Sequence, residues 1–136
     1  MSLKTINIIG CGRAAGSLAR LWNQAETVAI GDVLNRSRGS TVSAVRKVGA
    51  GRVAEGIPDM GPADFWLIGA NDSQIQNLAS DLAEARDDLE GALVFHLAGR
   101  FGLDVLKPLE PSGAQLAALH PVRSLTDAQI SVDDFA

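Results

Sequence analysis

The sequence predicts an α/β domain in which a mostly parallel sheet lies between two layers of helices. Apolar runs of strand length alternate with amphipathic stretches of helix length, the order typical of successive strand–helix units. The first apolar run, Thr5–Ile9, leads directly into a glycine-rich turn. The chain of 136 residues is long enough for one such domain with a buried core, and too short for a full second one.

The elements of the first half follow from the spacing of apolar residues and from residues that favour helix ends. Residues 13–24 place their apolar side chains on one face of a helix. Ser40 fits the N-cap of a second helix, which ends at Val48 because glycine follows it. The three strands predicted for this half are Thr5–Ile9, Thr27–Leu34 and Arg52–Ala54.

The second half continues the same alternation. A run of capping residues, Asn71-Asp72-Ser73, precedes a helix predicted from Gln74 to Arg86. One or two helical turns are predicted over Leu103–Leu106, before the next prolines. The three strands predicted for this half are Ala63–Ala70, Ala92–Leu97 and Gln115–Leu119, and His120-Pro121 ends the last of them.

Composition and charge narrow the classes of partner. The net charge of −4, with its basic residues scattered, predicts no nucleic-acid partner, because phosphate neutralisation needs clustered lysine and arginine. No apolar run approaches the ~20 residues that span a bilayer, so we expect no membrane partner. The single cysteine, Cys11, and two histidines without zinc-ligand spacing predict no metal site and a cytoplasmic location.

A phosphate-binding turn is predicted immediately after the first strand. Gly10-Cys11-Gly12-Arg13-Ala14-Ala15-Gly16 fits the pattern G-x-G-x-x-A between a strand and a helix. Gly10 permits the tight turn, Gly12 lacks the Cβ that would collide with a pyrophosphate, and Ala15 and Gly16 allow close packing of the helix on the sheet. The helix N-terminus would face the phosphates. The turn therefore predicts a Rossmann-type, doubly wound sheet in a three-layer αβα domain.

Two other interpretations of this turn remain open. The glycines could serve packing alone, in a strand-to-helix turn without a ligand. S-adenosylmethionine-binding proteins use a similar turn, but they are expected to have an acidic residue at the end of the first strand. This chain has Ile8 and Ile9 there.

The end of the second strand decides between NADP and NAD. Asp32 lies 22 residues after Gly10, near the offset of roughly 20 at which an acid binds the ribose of NAD. The apolar run nevertheless continues to Leu34, which places the strand end at Asn35-Arg36-Ser37, with Arg38 beyond. Arginine pairs with phosphate through two N–H groups, and Asn and Ser donate further hydrogen bonds.

The sequence therefore favours NADP as cofactor over NAD. Asp32 is then expected to be a polar residue on an exposed part of the strand. A solvated loop without a ligand is the alternative for Arg36 and Arg38.

Later strand ends add two candidate site residues. Asn71 is placed to contact the adenosine or ribose side of the cofactor, while Asp72 and Ser73 are more simply helix caps. His96 ends the fifth strand, near the position of the nicotinamide ring in such folds. A hydrogen-bonded structural histidine is an equal alternative for His96.

The sixth strand leads to the candidate reactive group. His120 is the best candidate catalytic residue, with His96 as a second, because an imidazole can polarise or protonate a carbonyl oxygen. A strand-ending His-Pro turn without chemistry is the alternative. Arg123 lies near enough in sequence to bind an anionic substrate. Cys11 is interpreted as a loop filler facing the sheet, because no base is identifiable beside it.

Together, several short motifs resemble one family. They are Ile8-Ile9-Gly10-Cys11-Gly12, Asn35-Arg36-Ser37, Ala63-Asp64, Asn71-Asp72, His96-Leu97-Ala98-Gly99 and Leu119-His120-Pro121. Their order and spacing resemble the uncharacterised Rossmann-like oxidoreductases of the 6-phosphogluconate dehydrogenase-like superfamily, in which a helical domain follows the nucleotide domain. His120-Pro121 is also similar to a pair in prephenate dehydrogenases, where the histidine faces substrate.

The resemblance implies NADP binding at the glycine loop and at residues 35–37, with the active cleft between two domains. It also implies that the second domain supplies a catalytic lysine and a helical dimer interface, so a homodimer is possible. We expect residues 1–121 to form the nucleotide domain. Residues 122–136 are then a tail or the beginning of a missing helical domain.

The leading functional hypothesis is the NADP(H)-binding domain of a dehydrogenase or reductase that acts on a small carbonyl or imine substrate. The alternative is a non-catalytic nucleotide-binding or sensing module. No complete acid/base pair can be built from these residues, which keeps that alternative open.

Overall fold

The computed structural model describes residues 3–98 and 102–119, apart from the side chain of Asp72. Its six strands are β1 (Thr5–Ile9), β2 (Ala29–Leu34), β3 (Arg52–Val53), β4 (Phe65–Ile68), β5 (Leu93–His96) and β6 (Gln115–Ala118). Its three α-helices are α1 (Arg13–Gln24), α2 (Arg38–Val48) and α3 (Ile75–Ala85). Three 3₁₀ helices cover Ile57–Asp59, Asp72–Gln74 and Asp104–Ser112.

The sheet is doubly wound, as predicted. The strand order is β3-β2-β1-β4-β5-β6, and every pair of neighbouring strands is parallel. The chain builds outward from β1 to β3, then returns to the other side of β1 and builds outward again from β4 to β6. The reversal between β1 and β4 is the point at which open α/β sheets bind their ligands.

The two faces of the sheet have separate hydrophobic cores. Helices α1 and α2 pack on one face, where Trp22 is fully buried. Helix α3 and the 3₁₀ helix Asp104–Ser112 pack on the other, where Trp66 is fully buried. Because both faces are covered, every residue of β4 and β5 is buried, which explains why these strands are apolar except for His96 at the end of β5. The predicted three-layer αβα architecture is confirmed.

Helix α2 begins earlier than predicted. Ser37, not Ser40, is its N-cap: the Ser37 backbone is extended, and its hydroxyl accepts the N–H of Ser40 at 3.1 Å. Ser40 lies one turn inside the helix, and its hydroxyl bonds back to Ser37 in a capping box. The sequence has serine at both positions, and the reciprocal bonds between them select the first.

The 3₁₀ helix Asp104–Ser112 is longer than the one or two turns predicted over Leu103–Leu106. It continues through Pro108 and Pro111. The fixed φ of proline, near −65°, suits a 3₁₀ helix, and burial of Leu106 and Leu109 against α3 stabilises it. Gly113 ends it in the left-handed conformation, with φ of 81°.

Candidate functional site

A cavity of about 290 Å³ opens where β1, β2 and β4 end. In the register of the sheet, the last residues of these strands, Ile9, Leu34 and Ile68, lie side by side. The residues that follow each strand therefore meet at one edge of the sheet. The cavity is lined by Ile9, Gly10, Cys11, Gly12, Leu34, Asn35, Arg36, Ser40, Gly69, Ala70, Asn71, Gln74 and Leu78. Six residues proposed from the sequence are among them: Gly10, Cys11, Gly12, Asn35, Arg36 and Asn71.

Gly10 is required by the turn itself. Its φ is +79°, and a Cβ there would lie 2.8 Å from the backbone nitrogen of Ala70. Both the backbone conformation and the contact with the end of β4 exclude a larger residue.

Gly12 is different, because the fold does not require glycine there. Its φ of −84° and ψ of −158° are accessible to any residue, and a Cβ would come no closer than 3.9 Å to the protein, at the carbonyl oxygen of Gly69. Gly12 is exposed and lines the cavity. The absence of a side chain leaves space that the protein itself does not use.

Helix α1 begins at this cavity without a cap. No side chain caps its N-terminus, and its first turn has no acidic residue. Among the residues that the structure describes, the backbone N–H groups of Arg13, Ala14 and Ala15 have no hydrogen-bond acceptor. Helix α2, by contrast, has a side-chain cap, because the Ser37 hydroxyl accepts the N–H of Ser40 in its first turn. The uncapped donors and the positive end of the α1 dipole make this terminus suited to bind an anion.

The close approach of α1 to the sheet depends on Ala15 and Gly69. Ala15 is fully buried, and a Cβ on Gly69 would lie 2.6 Å from the Ala15 Cβ. The sequence pattern predicted this packing for Ala15 and Gly16, and for Gly16 the prediction was wrong. A Cβ at Gly16 would meet only the Cys11 Sγ, at an ordinary 3.8 Å. The role of Gly69 was not predicted, although its position near the end of the fourth strand could have indicated close packing there.

Asn35 joins the end of β2 to the glycine loop. Its Oδ1 accepts the N–H of Cys11, and its Nδ2 donates to the carbonyl oxygens of Cys11 at 3.1 Å and Ser40 at 3.2 Å. Its backbone N–H donates to the hydroxyl of Thr41 at 2.9 Å. Both side-chain N–H groups of Asn35 are therefore used within the protein.

Arg36 and Arg38 are separated by the start of α2. Arg36 is exposed and lines the cavity, and within residues 3–98 and 102–119 its guanidinium has no ion pair or hydrogen bond. Arg38 pairs with Glu55. Only Arg36 is free to meet a ligand in the cavity.

Asp32 is buried, not exposed as predicted. Its carboxylate accepts hydrogen bonds from Arg52 Nε at 2.7 Å and Nη2 at 3.2 Å, and from the N–H of Gly61 at 2.5 Å. Burial alone would raise the pKa of the Asp32 carboxyl, but the hydrogen bonds from Arg52 and Gly61 hold that pKa below its usual value. Partners distant in sequence explain the burial. Asp32 holds β2, β3 and the turn before β4 together.

Cys11 packs beneath α1 in the hydrophobic core of that layer. Burial raises the pKa of its thiol to about 11, and the charge of Lys47 opposes only part of that rise. The thiol is therefore protonated at neutral pH, in keeping with a packing role.

Of the remaining candidate residues, Asn71 lines the cavity, His96 lies apart from it, and His120 and Arg123 lie outside the described residues. His96 is fully buried; its Nδ1 accepts the N–H of Ala98 at 3.0 Å and its Nε2 donates to the Gly102 carbonyl at 2.6 Å. Asn71 lines the cavity, and its carbonyl oxygen accepts the Gln74 N–H that opens the helical turn. His120 and Arg123 lie outside the residues that the structure describes.

Neither a membrane-spanning helix nor a metal-holding cluster is found among the described residues. They contain no helix that is both long enough and apolar enough to cross a membrane. They also contain no group of three or more His, Cys, Asp or Glu side chains arranged to hold a metal ion.

Comparison with known proteins identifies the fold. The family model described as "Rossmann-like domain" matches residues 2–121. No curated protein matches the chain at the sequence level. Three solved structures, which are 18–19% identical to the chain, share its fold.

The first is an imine reductase from Myxococcus stipitatus in complex with NADP⁺, with 19% identity and a TM-score of 0.65, covering 87% of this chain and 42% of the reductase. The second is the prephenate dehydrogenase of A. aeolicus in complex with hydroxyphenyl propionate and NAD⁺, with 19% identity and a TM-score of 0.65, covering 90% of this chain and 43% of the dehydrogenase. The third is the biliverdin reductase of Synechocystis sp. PCC 6803 in complex with biliverdin and NADP⁺, with 18% identity and a TM-score of 0.61. The match covers 84% of this chain and 37% of the reductase. The chain thus spans about two fifths of the length of each of these proteins.

Proposed function

The chain belongs to the Rossmann-like domain family, and on that premise we propose that it binds NADP(H) as the nucleotide domain of a dehydrogenase or reductase. Its substrate would be a small carbonyl or imine compound. The proposal draws on the three oxidoreductases that share its fold, each of which is in complex with a nicotinamide dinucleotide. It also draws on the residues of this chain.

One observation carries the proposal: an uncapped helix begins beside a glycine that the fold does not need. The N–H groups of Arg13, Ala14 and Ala15 lack acceptors, and the space beside Gly12 is open. A pyrophosphate in that space would accept these N–H groups and would explain Gly12. Packing alone explains Gly10 but not Gly12.

The proposed phosphate site then has two kinds of member. Arg13, Ala14 and Ala15 would donate backbone N–H groups to the pyrophosphate. Gly10 and Cys11 would shape the turn that presents them, and Asn35 would hold that turn through Cys11.

Arg36 supports NADP rather than NAD as the cofactor. It lines the cavity without a carboxylate partner among the described residues, and it would pair with the 2′-phosphate. Asp32, the candidate ribose ligand for NAD, is occupied by Arg52 and Gly61. Ser37 would act indirectly, because its hydroxyl caps α2.

The remaining roles follow the carboxyl edge of the sheet. Asn71 would contact the adenosine ribose from the end of β4. The nicotinamide ring, when bound, supplies hydride transfer at C4. His96 would orient the loop after β5 through Ala98 and Gly102. His120 is proposed to donate a proton or hydrogen bond to the substrate.

Arg123 is proposed to bind an anionic part of that substrate. Residues 122–136 would begin a helical second domain, which would also form a homodimer interface. We propose a cytoplasmic location.

Calorimetric titration of the full chain with NADPH, NADH and S-adenosylmethionine tests the proposal. We expect the affinity for NADPH to be at least about tenfold higher than the affinity for NADH. S-adenosylmethionine should not bind. Arg36→Gln should remove most of the NADPH preference, at a loss of about tenfold in affinity. Arg46→Gln, an exposed arginine of α2 outside the cavity, is the matched control and should behave like the wild type.

Two results would contradict parts of the proposal. Binding of neither dinucleotide would reject the nucleotide site. Equal affinities for NADPH and NADH in the wild type would reject the role of Arg36.

A further inference from the structure

A second cavity, of about 390 Å³, lies between α1 and α2. It adjoins the first, because Cys11, Gly12, Asn35 and Ser40 line both. Nothing proposed above occupies it.

Two helix faces that each carry cationic and hydroxyl side chains form the walls of this groove. Helix α1 presents Arg13, Ser17 and Arg20, spaced by four and three residues. Helix α2 presents Ser43 and Lys47, four residues apart. Such spacing places side chains in one row along a helix, so the two rows line the groove from opposite sides.

The cations of the groove lack partners among the residues that the structure describes. Helices α1 and α2 contain no acidic residue, and the acidic Asp81 and Glu84 of α3 lie on the opposite side of the sheet. Within the described part of the chain, Arg13, Arg20 and Lys47 form no ion pair or hydrogen bond. Three unpaired cations around one cavity repel one another, and a bound anion would relieve that repulsion.

One of the residues that line the groove, Gly16, has no side chain. Gly16 lies within α1, where glycine is less favourable than alanine. Its missing Cβ would meet only the Cys11 Sγ, at 3.8 Å, so packing does not require glycine. Cys11 and Lys47 line the groove together with Gly16. Because Gly16 lines the groove, the absence of a side chain there leaves the groove wider.

We infer that the groove between α1 and α2 binds a phosphate group at Arg13, Arg20 and Lys47, with hydroxyl donors from Ser17 and Ser43. A phosphate dianion suits guanidinium, ammonium and hydroxyl donors together, and it accepts more hydrogen bonds than a carboxylate. The phosphate belongs to a phosphorylated small molecule separate from the dinucleotide, because the 2′-phosphate is proposed above to pair with Arg36, which lines the first cavity and not the groove.

Titration of the ¹⁵N-labelled full chain with sodium phosphate, at constant ionic strength, tests this inference. We expect saturable shifts of the backbone amides of Gly16, Ser17 and Ser43. Lys47→Gln and Arg20→Gln should each weaken phosphate binding by about fivefold or more, because each removes one charge-assisted partner. Arg46→Gln removes a neighbouring charge of α2 outside the groove and should leave the affinity unchanged.

Thermal unfolding provides a second readout and shows that each variant folds. Phosphate should raise the Tm of the wild type and of Arg46→Gln more than that of Lys47→Gln. Shifts that do not saturate would overturn the inference. So would equal phosphate affinities in Lys47→Gln and Arg46→Gln.

Adding dinucleotide to the phosphate-bound protein identifies the source of the phosphate. Displacement by NADPH but not by NADH would place the 2′-phosphate in the groove and would overturn the assignment to a separate ligand. Retention of phosphate beside bound NADPH would support the site and assign it to a separate ligand. If neither dinucleotide binds, the proposed function fails, while saturable shifts with phosphate alone would still establish the groove.

Discussion

At the scale of single residues, Gly10 and Gly12 of one motif differ in whether the fold requires glycine. Gly10 has a positive φ and contacts Ala70, whereas Gly12 has an ordinary backbone and open space beside it. The fold therefore requires glycine at position 10, whereas we propose that Gly12 serves ligand binding.

Substitution by alanine separates the two roles. Gly12→Ala should change the free energy of unfolding by less than about 0.5 kcal/mol and weaken NADPH binding by about tenfold or more. Gly10→Ala, its control, should destabilise the fold by about 2 kcal/mol or more, because of left-handed strain and the contact with Ala70. Urea unfolding and calorimetry measure both. Undiminished NADPH binding by Gly12→Ala would show that no ligand lies against Gly12.

Asp32 predicts an acid-dependent loss of stability. Its pKa is lowered on folding, so its contribution is present above the unfolded value of about 3.9 and is lost as the pH falls through the folded value. Asp32→Asn should lower the free energy of unfolding by about 2 kcal/mol at pH 7. The difference from the wild type should shrink below about pH 4.

Urea unfolding across this pH range measures the difference. Asp81→Asn, at an exposed acid of α3 outside any ion pair in the described residues, is the control and should shift stability by less than about 0.5 kcal/mol. A difference for Asp32→Asn that stays constant down to pH 3 would contradict the role of its charge.

At the scale of elements, Asn35 couples the loop after β2 to the loop after β1. Asn35→Asp keeps an acceptor for the Cys11 N–H but loses the donors to the carbonyls of Cys11 and Ser40. We expect a loss of about 1–3 kcal/mol in the free energy of unfolding. NADPH and NADH affinities should fall by similar factors, because the glycine loop serves both.

Calorimetry distinguishes this positioning role from a direct contact. Arg36→Gln is the comparison, since it should affect NADPH alone. A loss confined to NADPH in Asn35→Asp would mean that Asn35 contacts the 2′-phosphate itself.

Local pattern predicted the interiors of the elements better than their ends. Helix α1 matched its predicted bounds because one apolar face and the glycine loop define both of its ends. The start of α2 was wrong because Ser37 and Ser40 both fit a cap, and only their reciprocal hydrogen bonds select one. Asp32 was wrongly predicted to be exposed, because Arg52 and Gly61, which bury it, are distant in sequence.

At the scale of the whole molecule, the two helical layers each contain one buried tryptophan. Trp22 reports on the layer of α1 and α2, and Trp66 on the layer of α3. Since both layers pack on the same sheet, we expect them to unfold together. In Trp22→Phe and in Trp66→Phe, the remaining tryptophan fluorescence should follow the same urea transition as far-UV circular dichroism. A fluorescence midpoint that precedes the circular dichroism midpoint in either variant would show that one layer opens first.

The site was predictable only in part at this scale. The glycine loop and the strand ends brought Gly10, Gly12, Asn35, Arg36 and Asn71 to one cavity, because carboxyl ends of parallel strands share an edge. The groove between α1 and α2 was not predictable, since it depends on how two helix faces meet.

The uneven charge of these layers also bears on the kinetics of encounter. The chain has a net charge of −4, yet α1 and α2 carry only cations and α3 only acidic residues among its charged side chains. An anion diffusing toward this protein is thus repelled from one side and attracted to the other, so the field orients its approach before any contact forms. Added salt would then slow association more than it speeds dissociation.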